Sequence, residues 1–195
     1  GIEKVYYSIN DIDKRSKNKS TIALSKKKIS ISKFYLRKRG LEFYESYYRL
    51  KKNKLPIIDA KLAISNDYLT KNKKKKWITN ERSRKLTHLI RSKYNALLST
   101  SKTINEDNSL FNCRIKGITN KSPNLIILDR NLEIKKNLSI FKVKVNRKIY
   151  IYTTKYNKKK IRWLRKNKVK VILLKNMESK DDFNKLFISF MKLKF

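Results

Sequence analysis

The amino-acid sequence predicts an α/β protein with a mostly parallel sheet and flanking helices. Two observations predict it. Short apolar runs recur at Pro56–Ile64, Ala96–Leu98, Asn124–Leu128, Lys148–Thr154 and Val169–Leu173. Helix-period segments separate several of them, around Leu86–Ile90, Ile161–Leu164 and Phe183–Phe190. Strands alternating with helices at this spacing imply right-handed βαβ units. Ligands of such sheets bind beyond the carboxyl ends of the strands, which places Ala63–Asp67, Ser99–Asp107 and Asp129–Arg130 around one crevice.

Taken in order, Gly1–Ser8 alternates weakly around Val5, Tyr6 and Tyr7 and reads as a strand, with a turn at Asn10–Asp13. A polar, Lys-rich stretch leads to a short strand with Ile29, Ile31 and Phe34. Leu41, Tyr44 and Tyr48 stand at helix spacing. Lys51–Lys54 and Pro56 mark a boundary, because proline disfavours helix in the residue before it.

Pro56–Ile64 is apolar on much of both faces, as a central parallel strand would be, with Lys61 in its second half. Ser65–Asp67 ends it, and the loop to Lys76 is strongly basic. Thr79 or Asn80 caps the next helix, whose apolar face is Leu86, Leu89 and Ile90 and whose His88 is expected on the solvated surface. Ala96–Leu98 reads as a short buried strand and Ser99–Asn108 as a polar loop. Asn124–Leu128 and Lys148–Thr154 are further strands, with a basic helix at Asn157–Lys166 and a strand at Val169–Leu173 after them. Ser179 caps the last helix, with Asp182 three positions on, and Phe183, Leu186, Phe187 and Phe190 form its apolar stripe.

Composition bounds the function classes. The chain has 195 residues, 39% hydrophobic, enough for a sizeable core. A net charge of +37 attracts polyanions. It also follows from a Lys-, Ile- and Asn-rich composition with AT-biased codons, and the lysines are scattered instead of gathered on one element. No named nucleic-acid-binding motif accompanies them. Cys113 is the sole cysteine and His88 the sole histidine, so an internal disulfide is excluded and Cys/His metal ligation is not supported. No run reaches the roughly 18 apolar residues of a membrane span.

An ordered set of motifs lies across the crevice. Lys-Leu-Ala-x-Ser-x-Asp spans Lys61–Asp67, Trp-Ile-Thr spans Trp77–Thr79, and Leu-x-Arg-Ser spans Leu89–Ser92. Thr-x-x-x-Asp-Asn follows at Thr103–Asn108, then Arg114. Alone, Trp77 reads as a core aromatic, Arg91 as a helix C-terminal cation and Asp107 as a turn residue; their shared order resembles the reductase domain of the bifunctional deaminase–reductase of bacterial riboflavin biosynthesis. The resemblance covers Pro56–Phe195, and Gly1–Leu50 is similar to the tail of that family's deaminase domain plus a linker helix.

The resemblance implies a cytoplasmic enzyme with a dihydrofolate-reductase-like fold. Its reaction would be hydride transfer from NADPH to the ribose of a phosphoribosylamino-pyrimidine. By resemblance, Lys75, Arg91, Phe111 and Arg114 bind substrate, while Ala63, Trp77, Thr103, Asp107 and Arg130 face the cofactor. Lys61 would polarise the ribose carbonyl or imine, and Asp107 would orient the sugar or the nicotinamide. The family often associates through this domain, and no zinc ligands of the deaminase occur in this sequence. Tyr68 stands where the family has glycine, so that turn is expected to be reshaped. No glycine follows Gly117, and the family's Glu-Gly-Gly segment is not reached. The chain therefore reads as an internal fragment, truncated at its C-terminal end and poorly active alone.

Overall fold

A computed structural model describes residues 1–53, 55–70 and 77–193. The described residues divide into two compact units, Gly1–Ala60 with residues 184–193, and Lys61–Phe183.

In the first unit, β1 (Lys4–Tyr7) and β2 (Ser30–Lys33) pair in parallel with Val5 opposite Ile31, joined through α1 (Lys19–Lys26). The single helical stretch expected around Tyr44 is two helices, α2 (Arg37–Phe43) and α3 (Glu45–Asn53). Gly40 lets α2 approach the end of β1, since a Cβ there would meet Ser8 Oγ at 2.0 Å. The turn after β1 is fastened to α3: Tyr47 donates to Asp11 at 3.0 Å, and Lys51 Nζ lies 2.6 Å from Asp13. Hydrogen bonds from Arg15 and then Lys51 hold the Asp13 carboxyl far below the usual carboxylate range. A cleft of about 380 Å3 beside this turn is lined by Asn10, Asp11, Lys17, Phe34, Arg37 and Tyr48, among others.

The second unit begins with α4 (Glu81–Ser92), β3 (Ala96–Thr100), α5 (Ser101–Asp107) and β4 (Asn124–Leu128). It continues with α6 (Ser139–Lys142), β5 (Ile149–Thr153), α7 (Lys158–Lys166) and β6 (Val169–Leu173), and α8 (Lys180–Lys192) starts within it. The strands form one parallel sheet in the order β3-β4-β5-β6, with Leu97 opposite Leu125 and Ile127 opposite Ile151. Alternation along the strands sends Leu125, Ile127 and Ile151 to one face, where they meet Ile104 of α5 and Ile161 and Leu164 of α7. Burial of each such side chain contributes roughly 1.5–3 kcal/mol. The parallel α/β class and the strands at 124–128, 149–153 and 169–173 agree with the sequence pattern.

Four expectations do not hold. Pro56–Ile64 joins no ladder among the described residues, and Ile58, Leu62 and Ile64 are 54%, 71% and 40% exposed. A strand needs a partner's N–H and C=O groups, which a local apolar run cannot supply. Ser99–Asn108 is no loop: Thr100 Oγ1 accepts from Thr103 N at 3.3 Å, and buried Ile104 anchors the helix that follows. Ala96–Leu98 belongs to an edge strand that is only partly buried, with Leu98 40% exposed. Asn80 does cap α4 by accepting from Ser83 N, yet Leu86, Leu89 and Ile90 are exposed. Helical spacing aligns a stripe without specifying what covers it.

Candidate functional site

The cluster that the structure assembles is cationic and lies in the second unit. Arg91 and His88 are one helical turn apart on α4 and face the same way. Arg91 Nη1 donates to the Asn112 carbonyl oxygen at 3.3 Å, and His88 Nδ1 stands 3.0 Å from that same oxygen. A carbonyl only accepts, so the neutral His88 ring carries its proton on Nδ1. The Arg91 guanidinium also lies over the Phe111 ring, 5.8 Å from its centre.

Arg147, in the turn before β5, reaches the same loop from the other side. Its Nη1 donates to the Phe111 carbonyl at 2.7 Å and its Nη2 to the Leu110 carbonyl. Cys113 is buried and closes the loop: its N–H donates to Ser122 Oγ at 3.0 Å and its Sγ to the His88 carbonyl at 3.4 Å. Three successive carbonyls, at 110, 111 and 112, are therefore held by nitrogen donors from two distant elements.

Electrostatics mark this place as short of negative charge. Burial, then the neighbouring Arg114, lowers the Arg91 pKa. Burial, then Arg91, lowers that of Arg147 to about 10, so it remains charged at neutral pH. His88 is pushed below its ordinary value by burial and by Arg91 and Arg114. No carboxylate among the described residues is a cause of any of these shifts. Half-buried cations that repel one another and lack a counterion favour an anionic ligand.

The other sequence-predicted residues fall as follows. Arg114 and Phe111 join Arg91 in the cluster. Thr103 and Asp107 are both exposed on α5, directly after the carboxyl end of β3. Arg130 stands at the carboxyl end of β4, where it pairs with Glu178. Trp77 is 55% exposed and lies under Arg84 at 5.0 Å, just before α4. Lys61 and Ala63 lie on the extended segment before the turn at Ser65–Leu69; Lys61 is exposed and has no ion pair among the described residues. Lys75 and the run around it lie outside the described residues. In the turn where the family has glycine, Tyr68 takes φ 62, and bonds between Ser65 and both Tyr68 and Leu69 hold it there.

Sequence reasoning missed His88 and Arg147. His88 carries a usable signal, its spacing of three from Arg91 on a capped helix. Arg147 carries none, because an arginine in a Lys-rich turn looks like its solvated neighbours.

Residues 56–187 match the model of the RibD C-terminal domain. The riboflavin biosynthesis protein RibD of Aquifex aeolicus (strain VF5) is 27% identical over 188 residues, 95% of this chain and 52% of that protein. The protein of the same name from Buchnera aphidicola subsp. Baizongia pistaciae (strain Bp) is 30% identical over 116 residues, 58% of this chain and 31% of that one. Among solved structures, one from Thermotoga maritima superposes with a TM-score of 0.79 at 21% identity, covering 99% of this chain and 52% of that one. It is a diaminohydroxyphosphoribosylaminopyrimidine deaminase/5-amino-6-(5-phosphoribosylamino)uracil reductase. Acinetobacter baumannii RibD superposes with a TM-score of 0.76 at 17% identity, over 98% of this chain and 52% of that one. The chain spans about half the length of the Aquifex protein, 52%, and 31% of the Buchnera protein. Its parallel sheet, its arginine cluster between α4 and the 110–114 loop, and a family match over 56–187 coincide, and the chain belongs to the RibD C-terminal domain family.

Proposed function

We propose that this chain is the reductase part of a riboflavin-biosynthesis enzyme. It would reduce the ribose of 5-amino-6-(5-phosphoribosylamino)uracil to the ribityl form with NADPH. The observation that carries the reading is the cluster of Arg91, Arg114 and Phe111, two permanent cations and an aromatic ring with no carboxylate acting on Arg91 among the described residues. A sugar phosphate supplies the missing negative charge, and arginine forks onto its oxygens.

The residues present fit a dinucleotide cofactor at the carboxyl ends of the sheet. Exposed Thr103 and Asp107 follow β3, and exposed Arg130 ends the neighbouring β4. NADPH, when bound, supplies the hydride. Arg130 would turn from Glu178 to the cofactor's extra phosphate, and Thr103 would hold the chain of phosphates. Ala63 and Trp77 would border the nicotinamide, and Asp107 would orient it or the sugar. Lys61 would donate a hydrogen bond to the ribose carbonyl oxygen and so draw electrons from the carbon that is reduced. Lys75 would complete the substrate side.

Two titrations test this. NADPH fluorescence should rise on binding, and ribose 5-phosphate should bind with an affinity that Arg91→Gln weakens. Steeply salt-dependent DNA binding, with no response to NADPH, would replace the reading with that of a nucleic-acid-binding protein whose charge of +37 is its functional feature.

A further inference from the structure

Arg147 makes an unusual set of contacts for a charged side chain. Both of its bonded nitrogens serve main-chain carbonyls, those of Leu110 and Phe111. Its Nε is buried with no hydrogen-bond partner among the described residues. A buried donor left unsatisfied is destabilising, so the arrangement carries a local penalty. What the guanidinium holds is itself strained. Phe111 has φ 52, in the left-handed region that bulky residues avoid.

That backbone turn has a consequence for the cluster. It sets the Phe111 ring under Arg91 and presents the next carbonyl, that of Asn112, to both Arg91 and His88. Two residues further on, the chain delivers Arg114 to within electrostatic reach of Arg91. Residues 108–118, which carry these groups, belong to no helix or strand that would impose their positions; a 3-10 turn at Thr119–Lys121 comes only after them. Arg147 comes from a third place, the turn that leads into β5, a central strand of the sheet.

We propose that Arg147 is a positioning residue of the anion subsite: it clamps the Leu110 and Phe111 carbonyls, and so fixes Phe111 beneath Arg91 and Arg114 beside it before the sugar phosphate arrives. This rests on the reading of Arg91, Phe111 and Arg114 as a sugar-phosphate site. The planar fork, not the charge alone, is what the role requires. Lysine keeps the charge but can serve both carbonyls only as a point donor. Mutual repulsion of Arg147 and Arg91 agrees with the arrangement, because a bound phosphate relieves it.

The test uses the full chain and Arg147→Lys, which retains the charge and the fold of the core. Three quantities are read: affinity for ribose 5-phosphate, the thermal midpoint, and the rate at which an aromatic disulfide reagent labels Cys113. Cys113 is the sole cysteine and is buried within the loop, so its labelling reports local opening. The expected result is about tenfold weaker binding in Arg147→Lys, the loss of one charge-assisted hydrogen bond, with faster labelling and a nearly unchanged midpoint. Ribose 5-phosphate should slow the labelling in both proteins. Unchanged affinity and labelling in Arg147→Lys, with binding abolished by Arg91→Gln, overturns this inference and leaves the site reading standing. Failure of the unsubstituted chain to bind ribose 5-phosphate overturns both.

Discussion

His88 and Arg91 converge on a single acceptor, the carbonyl oxygen of Asn112, at 3.0 and 3.3 Å. One helix therefore commits two nitrogen-bearing side chains to one loop. The arrangement works only while His88 is neutral, since a protonated ring would set a further positive charge beside Arg91 and Arg114.

This gives a pH dependence of stability. Burial, then Arg91, lowers the folded-state pKa of His88 below the 6.5 of an unperturbed histidine. Below that pH the unfolded chain binds a proton that the folded chain resists. Stability from this group is thus present above about pH 6.5 and lost progressively as the pH falls from there through the lower folded-state pKa. Thermal melts from pH 7.5 to 5.5 should show a falling midpoint that is flatter in His88→Asn. Equal slopes in the two proteins would remove His88 from the account.

Arg91 should matter through its geometry as well as its charge. Arg91→Gln is expected to weaken ribose 5-phosphate binding about 100-fold, and Arg91→Lys about tenfold, because lysine loses the fork and the stacking on Phe111. Calorimetric titration at fixed ionic strength measures both. Full recovery in the lysine variant would reduce the role to simple charge.

Tyr68 holds φ 62 and is 82% exposed, so its side chain contributes little packing while its backbone is strained. Tyr68→Gly should raise stability by about 1 kcal/mol, read as a higher denaturant midpoint at constant slope. A destabilised variant would mean that the turn depends on the ring.

Leu164 and Leu86 make a paired test of burial. Leu164 is 0% exposed on α7 and Leu86 is 55% exposed on α4. Leu164→Ala should cost about 3 kcal/mol, and Leu86→Ala within about 0.5 kcal/mol. Similar losses at both positions would show that the α4 stripe is covered in solution.

At the start of α8, Ser179 Oγ accepts from Asp182 N at 3.1 Å while Asp182 accepts from Ser179 N at 3.0 Å. Loss of that reciprocal cap in Ser179→Ala should cost about 1 kcal/mol, with most of it recovered in Ser179→Thr. Denaturant unfolding of the two variants side by side decides the matter.

Much of the fold is legible in the residues themselves. Alternation of Leu125, Ile127 and Ile151 against the stripe of Ile161 and Leu164 gives a parallel sheet with a covering helix, and the caps at Asn80 and Ser179 are local hydrogen-bonding chemistry. The span Pro56–Ile64 misleads because its pattern is that of a buried strand, yet no ladder forms there among the described residues. Thr103 and Asp107 look like loop residues because only one buried apolar side chain, Ile104, distinguishes their short helix from a polar connection.

Local order along the chain determined the strands of the sheet, the helix caps and the motif set from Lys61 to Arg114. All of these depend on interactions between residues close in sequence or on a repeated period. The tertiary structure alone decided that Arg147 grips the carbonyls of residues 36 and 37 positions earlier, that His88 serves the Asn112 carbonyl, and that Phe111 turns left-handed beneath Arg91. Such contacts join elements with no shared period, and a long side chain's partner is set by where the backbone brings it, not by its neighbours in the sequence.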